Sequence, residues 1–176
     1  MQREQLIKNK LQHAFQAYEL GELGKANSIL NELLRFSPNN IDAIHLLAII
    51  YATQGNHQFA IKYYEKILKL CPNDASILSN FGTSLSELGR SNEALKVFQK
   101  ALKIDSNDSD ISYNIANTLC NLRSYEEALS YYEQAIRINP NNFMYYQNYG
   151  RALFDLKRYH ESIIYCDKAL SINQNS

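Results

Sequence analysis

The segment 109–142, SDISYNIANTLCNLRSYEEALSYYEQAIRINPNN, can be laid under 75–108, ASILSNFGTSLSELGRSNEALKVFQKALKIDSND, without an insertion. In both, a small residue (Ala116, Gly82) stands at the eighth place and another (Ala128, Ala94) at the twentieth, followed four places on by an aromatic (Tyr132, Phe98). Extending the frame in both directions starts copies at Ile7, Ile41, Ala75, Ser109 and Phe143, a period of 34 residues. The three prolines obey it: Pro38 and Pro72 are 34 apart, and Pro140 lies two periods beyond Pro72, with Ser106 where the missing proline would be. Self-similarity at a fixed period of this length is the signature of a repeat architecture.

The columns dictate the unit. The eighth place reads Ala14, Ala48, Gly82, Ala116, Gly150, and the twentieth reads Ala26, Ala60, Ala94, Ala128, Ser162. Two helices approach closely only where side chains are small, so these columns predict a tight helical hairpin in every copy. Large residues fill the crossing at the twenty-fourth place (Leu30, Tyr64, Phe98, Tyr132, Cys166) and at the twenty-eighth (Leu34, Leu68, Leu102, Ile136, Leu170), a spacing of four that marks one helical face. Copies close on Asn39, Asn73, Asn107, Asn141 or Asn175, and the next residue, Asn40, Asp74, Asp108 or Asn142, offers a side-chain acceptor to cap the following helix. Gly21, Gly55 and Gly89 mark the turn inside the first three hairpins, with Arg123 and Lys157 in the last two.

This pattern of small, large, small and proline positions resembles the tetratricopeptide repeat, over residues 7–176. The resemblance implies an all-α fold, a right-handed α-solenoid superhelix of five antiparallel helix pairs whose first helices line a concave groove. The implied organisation is one continuous repeat domain, with residues 1–6 extending the first helix and repeats at 7–40, 41–74, 75–108, 109–142 and 143–176. Departures are local: Lys10 and Ser112 stand at the fourth place, where a large apolar residue is common in the family, and Ser162 at the twentieth.

Composition narrows the function classes. Eighteen basic residues balance eighteen acidic ones in 176, so no net field draws the chain to nucleic acid or to an anionic membrane. No run approaches the roughly 18 apolar residues of a membrane span, and the start Met1-Gln2-Arg3-Glu4-Gln5 opens no signal-peptide-like stretch, so a cytoplasmic location is expected. Cys71, Cys120 and Cys166 lack CxxC spacing and fit free thiols in a reducing compartment. His13, His45, His57 and His160 form no ligand motif, so no metal or cofactor is expected. There is no glycine-rich phosphate loop and no GxSxG elbow, and Cys120 reads as a small filler, not a nucleophile, so no enzyme is expected. Most of the thirteen tyrosines recur by column, as Tyr63, Tyr131 and Tyr165 do, and read as structural. The cluster Phe143, Met144, Tyr145, Tyr146 and Tyr149 either packs the last hairpin or forms a contact surface.

If first helices line a groove, their second, fifth, sixth, ninth, twelfth and thirteenth places face a ligand. The sixth place reads Asn80, Asn114, Asn148 in succession, with Asn117 and Arg151 at the ninth. An amide carries donor and acceptor together, so a row of them can grip an extended peptide backbone. The row resembles the asparagine ladder of O-linked N-acetylglucosamine transferases and related bacterial proteins; a solvated or inter-repeat hydrogen-bonding role is the plain alternative. Tyr113, Gln147 and Phe154 add to this surface, whereas Leu11, Phe15, Leu46 and Ile49 at the other end suggest an apolar slot or residues covered in part by 1–6. Repeat domains that clamp a chaperone's C-terminal carboxylate use a lysine and an asparagine from one first helix, an asparagine from the next, and a lysine and an arginine from the third; in the first register these places hold Leu11, Phe15, Leu46, Ser76 and Asn80, and no register supplies the cations.

The expected function is a protein-protein interaction scaffold that binds a peptide segment of a partner, with Asn80, Tyr113, Asn114, Asn117, Gln147, Asn148 and Arg151 as contacts. Two alternatives stand beside it. One is a non-catalytic substrate-docking arm of a larger enzyme such as a glycosyltransferase. The other is a self-assembling repeat protein joined through its last repeat, because Ile163, Leu170 and Ile172 have no following helix up to Ser176, an edge that equally fits a chain cut from a longer protein.

Overall fold

The computed structural model describes residues 2–174, and its elements are ten α-helices with no strand among the described residues. Met1, Asn175 (read above as closing the fifth copy) and Ser176 lie outside the described residues. The chain forms two compact units, Met1–Leu88 and Gly89–Ser176. The first holds α1 (Gln2–Glu19), α2 (Leu23–Phe36), α3 (Ile41–Thr53), α4 (His57–Leu70) and α5 (Ala75–Glu87); the second holds α6 (Ser91–Ile104), α7 (Ser109–Asn121), α8 (Tyr125–Ile138), α9 (Phe143–Asp155) and α10 (Tyr159–Asn173). Within each unit every helix packs on the next, and alternate helices also touch: α1 with α3, α3 with α5, and α7 with α9.

Local chemistry sets the boundaries. Asn40, Asp74, Asp108 and Asn142 cap α3, α5, α7 and α9, each side-chain oxygen accepting a backbone N–H of the first turn at 2.8–3.1 Å. Inside the hairpins the chain turns through a left-handed residue: Gly21, Gly55 and Gly89 at φ 73–75°, Arg123 at 61° and Lys157 at 62°. After α7, the Arg123 N–H bonds to the Cys120 carbonyl and the Ser124 N–H to the Leu119 carbonyl, both at 2.9 Å, which satisfies the last carbonyls of the helix. A side chain in this conformation is strained by about 1–2 kcal/mol, and glycine returns part of the gain through its freer unfolded chain. Arg123→Gly and Lys157→Gly are therefore each expected to raise stability by about 0.5–1 kcal/mol, read as a higher urea midpoint. A lower midpoint for both would refute the strain argument.

The small columns are buried throughout: Ala14, Ala48, Ala116, Ala26, Ala60, Ala94 and Ala128 are all fully enclosed. The departure at Ser162 has a physical reason. Its hydroxyl donates to the Gly150 carbonyl at 2.7 Å, and a Cβ built on Gly150 would stand 3.2 Å from the Ser162 carbonyl oxygen and 2.9 Å from Cys166 Sγ, so the last crossing pairs serine with glycine. Lys10 keeps its charge at the surface, paired with Glu32 at 2.8 Å. Ser112 is buried and donates back to the Asp108 carbonyl at 3.4 Å.

The twenty-fourth place forms the core as read, with Leu30, Tyr64, Phe98 and Tyr132 buried, but Cys166 is exposed. The twenty-eighth place is a correction: Leu34, Leu68, Leu102 and Ile136 are only half-buried and Leu170 is exposed. The deeper column is the twenty-seventh, Leu33, Ile67, Ala101, Ala135 and Ala169, one turn from the twenty-fourth at i+3. The tyrosines largely pack on one another, Tyr51 on Tyr63 at 5.4 Å and Tyr149 on Tyr165 at 4.1 Å between ring centroids. In the final aromatic cluster Tyr145, Tyr146 and Tyr149 are buried, so it packs the hairpin, while Met144 faces outward.

The apolar slot expected in the N-terminal half is also corrected. Leu46 is buried among Ala43, Leu47 and Ile50 on the nearly all-apolar α3, and Leu11 packs against the same cluster. Both residues are core. Residues 2–6 continue α1, so they cannot fold back over Phe15 on their own helix, and Phe15 remains 47% exposed. Arg3 instead reaches the C-terminus of α2, donating to the Phe36 carbonyl at 2.6 Å.

Candidate functional site

In the second unit, α7 and α9 each present a polar stripe with helical spacing: Asn114, Asn117 and Asn121 on α7, and Asn148, Arg151 and Asp155 on α9. Where the stripes meet α8, a cavity of about 330 Å³ is lined by Asn117, Cys120, Asn121, Tyr125, Tyr132, Asn148, Arg151, Ala152 and Asp155.

A hydrogen-bonded chain orders its wall. The Tyr132 hydroxyl donates to Asn117 Oδ1 at 2.6 Å, and Asn148 Nδ2 donates to that same oxygen at 3.0 Å and to the Tyr113 hydroxyl at 2.7 Å. Cys120 Sγ lies 3.6 Å from the Tyr132 hydroxyl. Burial pushes the Tyr132 phenol far above its ordinary range, so it stays a donor at neutral pH. Burial also pushes the Cys120 thiol up, ahead of the opposing pull of Tyr132, and no thiolate is poised there.

These bonds fix both amides. With Asn117 Oδ1 and Asn148 Nδ2 engaged, Asn117 turns its Nδ2 donor and Asn148 its Oδ1 acceptor toward other partners. Among the described residues neither Arg151 nor Asp155 forms an ion pair, although they stand one turn apart on α9.

Of the residues read from the sequence, Asn117, Asn148 and Arg151 line one cavity and Tyr113 supports it from behind, its ring tilted on Tyr145 at 4.9 Å. Asn114 is half-buried one turn before Asn117. Gln147 is not part of this group: it lines a separate notch of about 260 Å³ with Phe143, Cys166, Ala169, Leu170 and Asn173. Phe154 is exposed and packs edge-on against Tyr159. Asn121, Tyr125, Tyr132 and Asp155 were not among the expected contacts; Asn121 and Asp155 occupy the thirteenth place, a groove-facing place in the family, and the signal was there to read.

Asn80 belongs to the first unit, where its Nδ2 lies 3.3 Å from His45 Nε2. Burial lowers the His45 pKa, outweighing Asp74 and Asp42, so the ring is held neutral and its Nε2 accepts from the amide. Among the described residues no group of three or more His, Cys, Asp or Glu lies together to hold a metal, and no helix is long and apolar enough to cross a membrane.

Helical hairpins that pack on their neighbours within each unit define an all-α fold of solenoid type. Three family profiles described as tetratricopeptide repeat match residues 40–107, 109–142 and 131–164, and the chain belongs to the tetratricopeptide repeat family. Proteins of this family serve in general as scaffolds for protein interaction. No curated protein matches the sequence. Among solved structures the chain is similar to residues 41-end of MamA from Desulfovibrio magneticus RS-1, with TM-score 0.90 and 19% identity over 100% of this chain and 98% of that one. It is also similar to pilF of Pseudomonas aeruginosa (TM-score 0.85, 22% identity, 97% and 78% covered). A third similar structure is YrrB, described as a TPR protein with an unusual peptide-binding site (TM-score 0.76, 21% identity, 93% and 84% covered).

Proposed function

We propose that the chain is a scaffold that holds an extended peptide segment of a partner protein, with the α7–α9 cavity as its main contact and Asn114 beside it. The observation that carries this reading is the fixed pair of amides, a donor on Asn117 and an acceptor on Asn148, which together complement the C=O and N–H that one residue of an extended strand presents on the same side. The description of YrrB as peptide-binding supports it by analogy. Asn80 is an auxiliary contact in the first unit, and Gln147 a peripheral one. The test is affinity capture by the purified chain followed by mass spectrometry, run in parallel with a variant carrying Asn117→Ala and Asn148→Ala. A partner captured equally by both defeats the assignment.

A second reading, self-association through the last helix pair, is favoured by the outer face of α10. Ile163, Ile164 and Leu170 are 58%, 64% and 58% exposed. Ile164 stands at a place filled by Ser28, Lys62, Lys96 and Ser130 elsewhere, all exposed. An isoleucine has no reason to replace a lysine on a solvated face, and contiguous exposed apolar side chains mark contact surfaces. Sedimentation velocity is expected to show concentration-dependent association that Ile164→Lys suppresses. A monomer at every concentration would rule this out.

A further inference from the structure

We infer that the α7–α9 cavity selects a peptide residue bearing a single carboxylate, which pairs with Arg151 while the C=O and N–H of an adjoining extended residue sit on Asn117 and Asn148; this rests on the peptide-binding reading above. The donor set argues for it. Arg151 lines the cavity, is exposed, and meets no carboxylate within ion-pair distance among the described residues, so all of its guanidinium donors remain for a ligand. A planar guanidinium matches a carboxylate in bidentate fashion and is only weakly hydrated, so little opposes that pairing. Beside it, the hydrogen bonds from Tyr132 and Asn148 leave Asn117 Nδ2 for a backbone carbonyl, and Asn148 Oδ1 for a backbone N–H. Arg151 follows Asn148 by three residues on α9, so cation and amide lie on one face, about one turn apart. Tyr125 adds a hydroxyl to the same wall.

Asp155 sets the limit on charge. It lines the cavity one turn beyond Arg151, so the wall as a whole is close to neutral. A side chain with one negative charge is accommodated, whereas a phosphorylated residue with close to two meets Asp155 with an excess. A lysine or arginine in the ligand would meet Arg151 directly. The cavity therefore ranks glutamate or aspartate above glutamine, and glutamine above phosphoserine or lysine.

Titration of the isotope-labelled whole chain with four capped pentapeptides, acetyl-AAXAA-amide with X glutamate, glutamine, lysine or phosphoserine, tests this by NMR. The glutamate peptide is expected to shift the side-chain amides of Asn117 and Asn148 and the Arg151 Nε–H, with an affinity about tenfold above that of the glutamine peptide at low salt. Arg151→Gln should erase that preference, and Asp155→Asn should raise the glutamate peptide's affinity by about twofold. Equal binding of glutamate and glutamine peptides, or a glutamate preference that survives Arg151→Gln, overturns the carboxylate assignment and leaves peptide binding intact. Failure of all four peptides to perturb these side chains, with a captured full-length partner also failing to do so, removes the peptide-binding reading itself.

Discussion

Tyr132→Ala is expected to lower the unfolding free energy by about 3–5 kcal/mol, and Tyr132→Phe by only about 1 kcal/mol. The ring is 1% exposed and lies against Tyr113 and Tyr149, each 6.1 Å away between centroids, so truncation opens a cavity between α7, α8 and α9 that three packed helices cannot close. Phenylalanine keeps that packing and removes the donor to Asn117, whose oxygen retains its bond from Asn148, together with the weak contact to Cys120 Sγ. In a solenoid each hairpin is stable only through its neighbours, so the loss spreads to α9 and α10. Urea unfolding followed by circular dichroism measures both variants, and hydrogen exchange locates the loss. A cost below about 1 kcal/mol for alanine would mean that the crossing relaxes around the gap, contrary to the close packing of the twenty-fourth column.

That column was legible because a side chain that must fill a hairpin crossing recurs at every copy, whatever its identity: leucine, tyrosine or phenylalanine all satisfy it. The left-handed turns were legible in the same way, even where Arg123 and Lys157 replace glycine, since the hairpin imposes the conformation on whatever residue stands there. The twenty-seventh column was hidden by chemistry. Ala101, Ala135 and Ala169 follow Leu33 and Ile67 in it, and alanine alone does not say whether it is enclosed or exposed. Leu46 shows the converse limit. Its place faces the cavity in α9, where Asn148 stands, yet in α3 it is buried, because α3 packs on α1, α2, α4 and α5 and has no free face there. The site was legible as types at places, with three of the predicted contacts lining one cavity; the orientation of its amides was not, since it depends on a hydroxyl from a different helix, fifteen residues from Asn117 in sequence.

The double variant Asn117→Ala, Asn148→Ala is expected to weaken partner binding by about 30- to 150-fold, which two lost hydrogen bonds of about 1–1.5 kcal/mol each would produce. Stability moves much less. Both side chains are half-buried on the polar faces of their helices, alanine is the better helix former, and the Tyr132 hydroxyl that Asn117 leaves stands in the wall of a cavity with room for water. A fall of about 1 kcal/mol or less in unfolding free energy is the expected cost, measured on the same preparation as the affinity. The single variants discriminate further. Asn117 and Asn148 share one hydrogen bond, so removing either leaves the other held by a single tyrosine hydroxyl, and the two losses are expected to sum to more than the double variant shows. Additive losses would mean that the amides act separately, as solvated residues that happen to stand close, and would take from the cavity the fixed donor and acceptor on which the proposed recognition of a peptide depends.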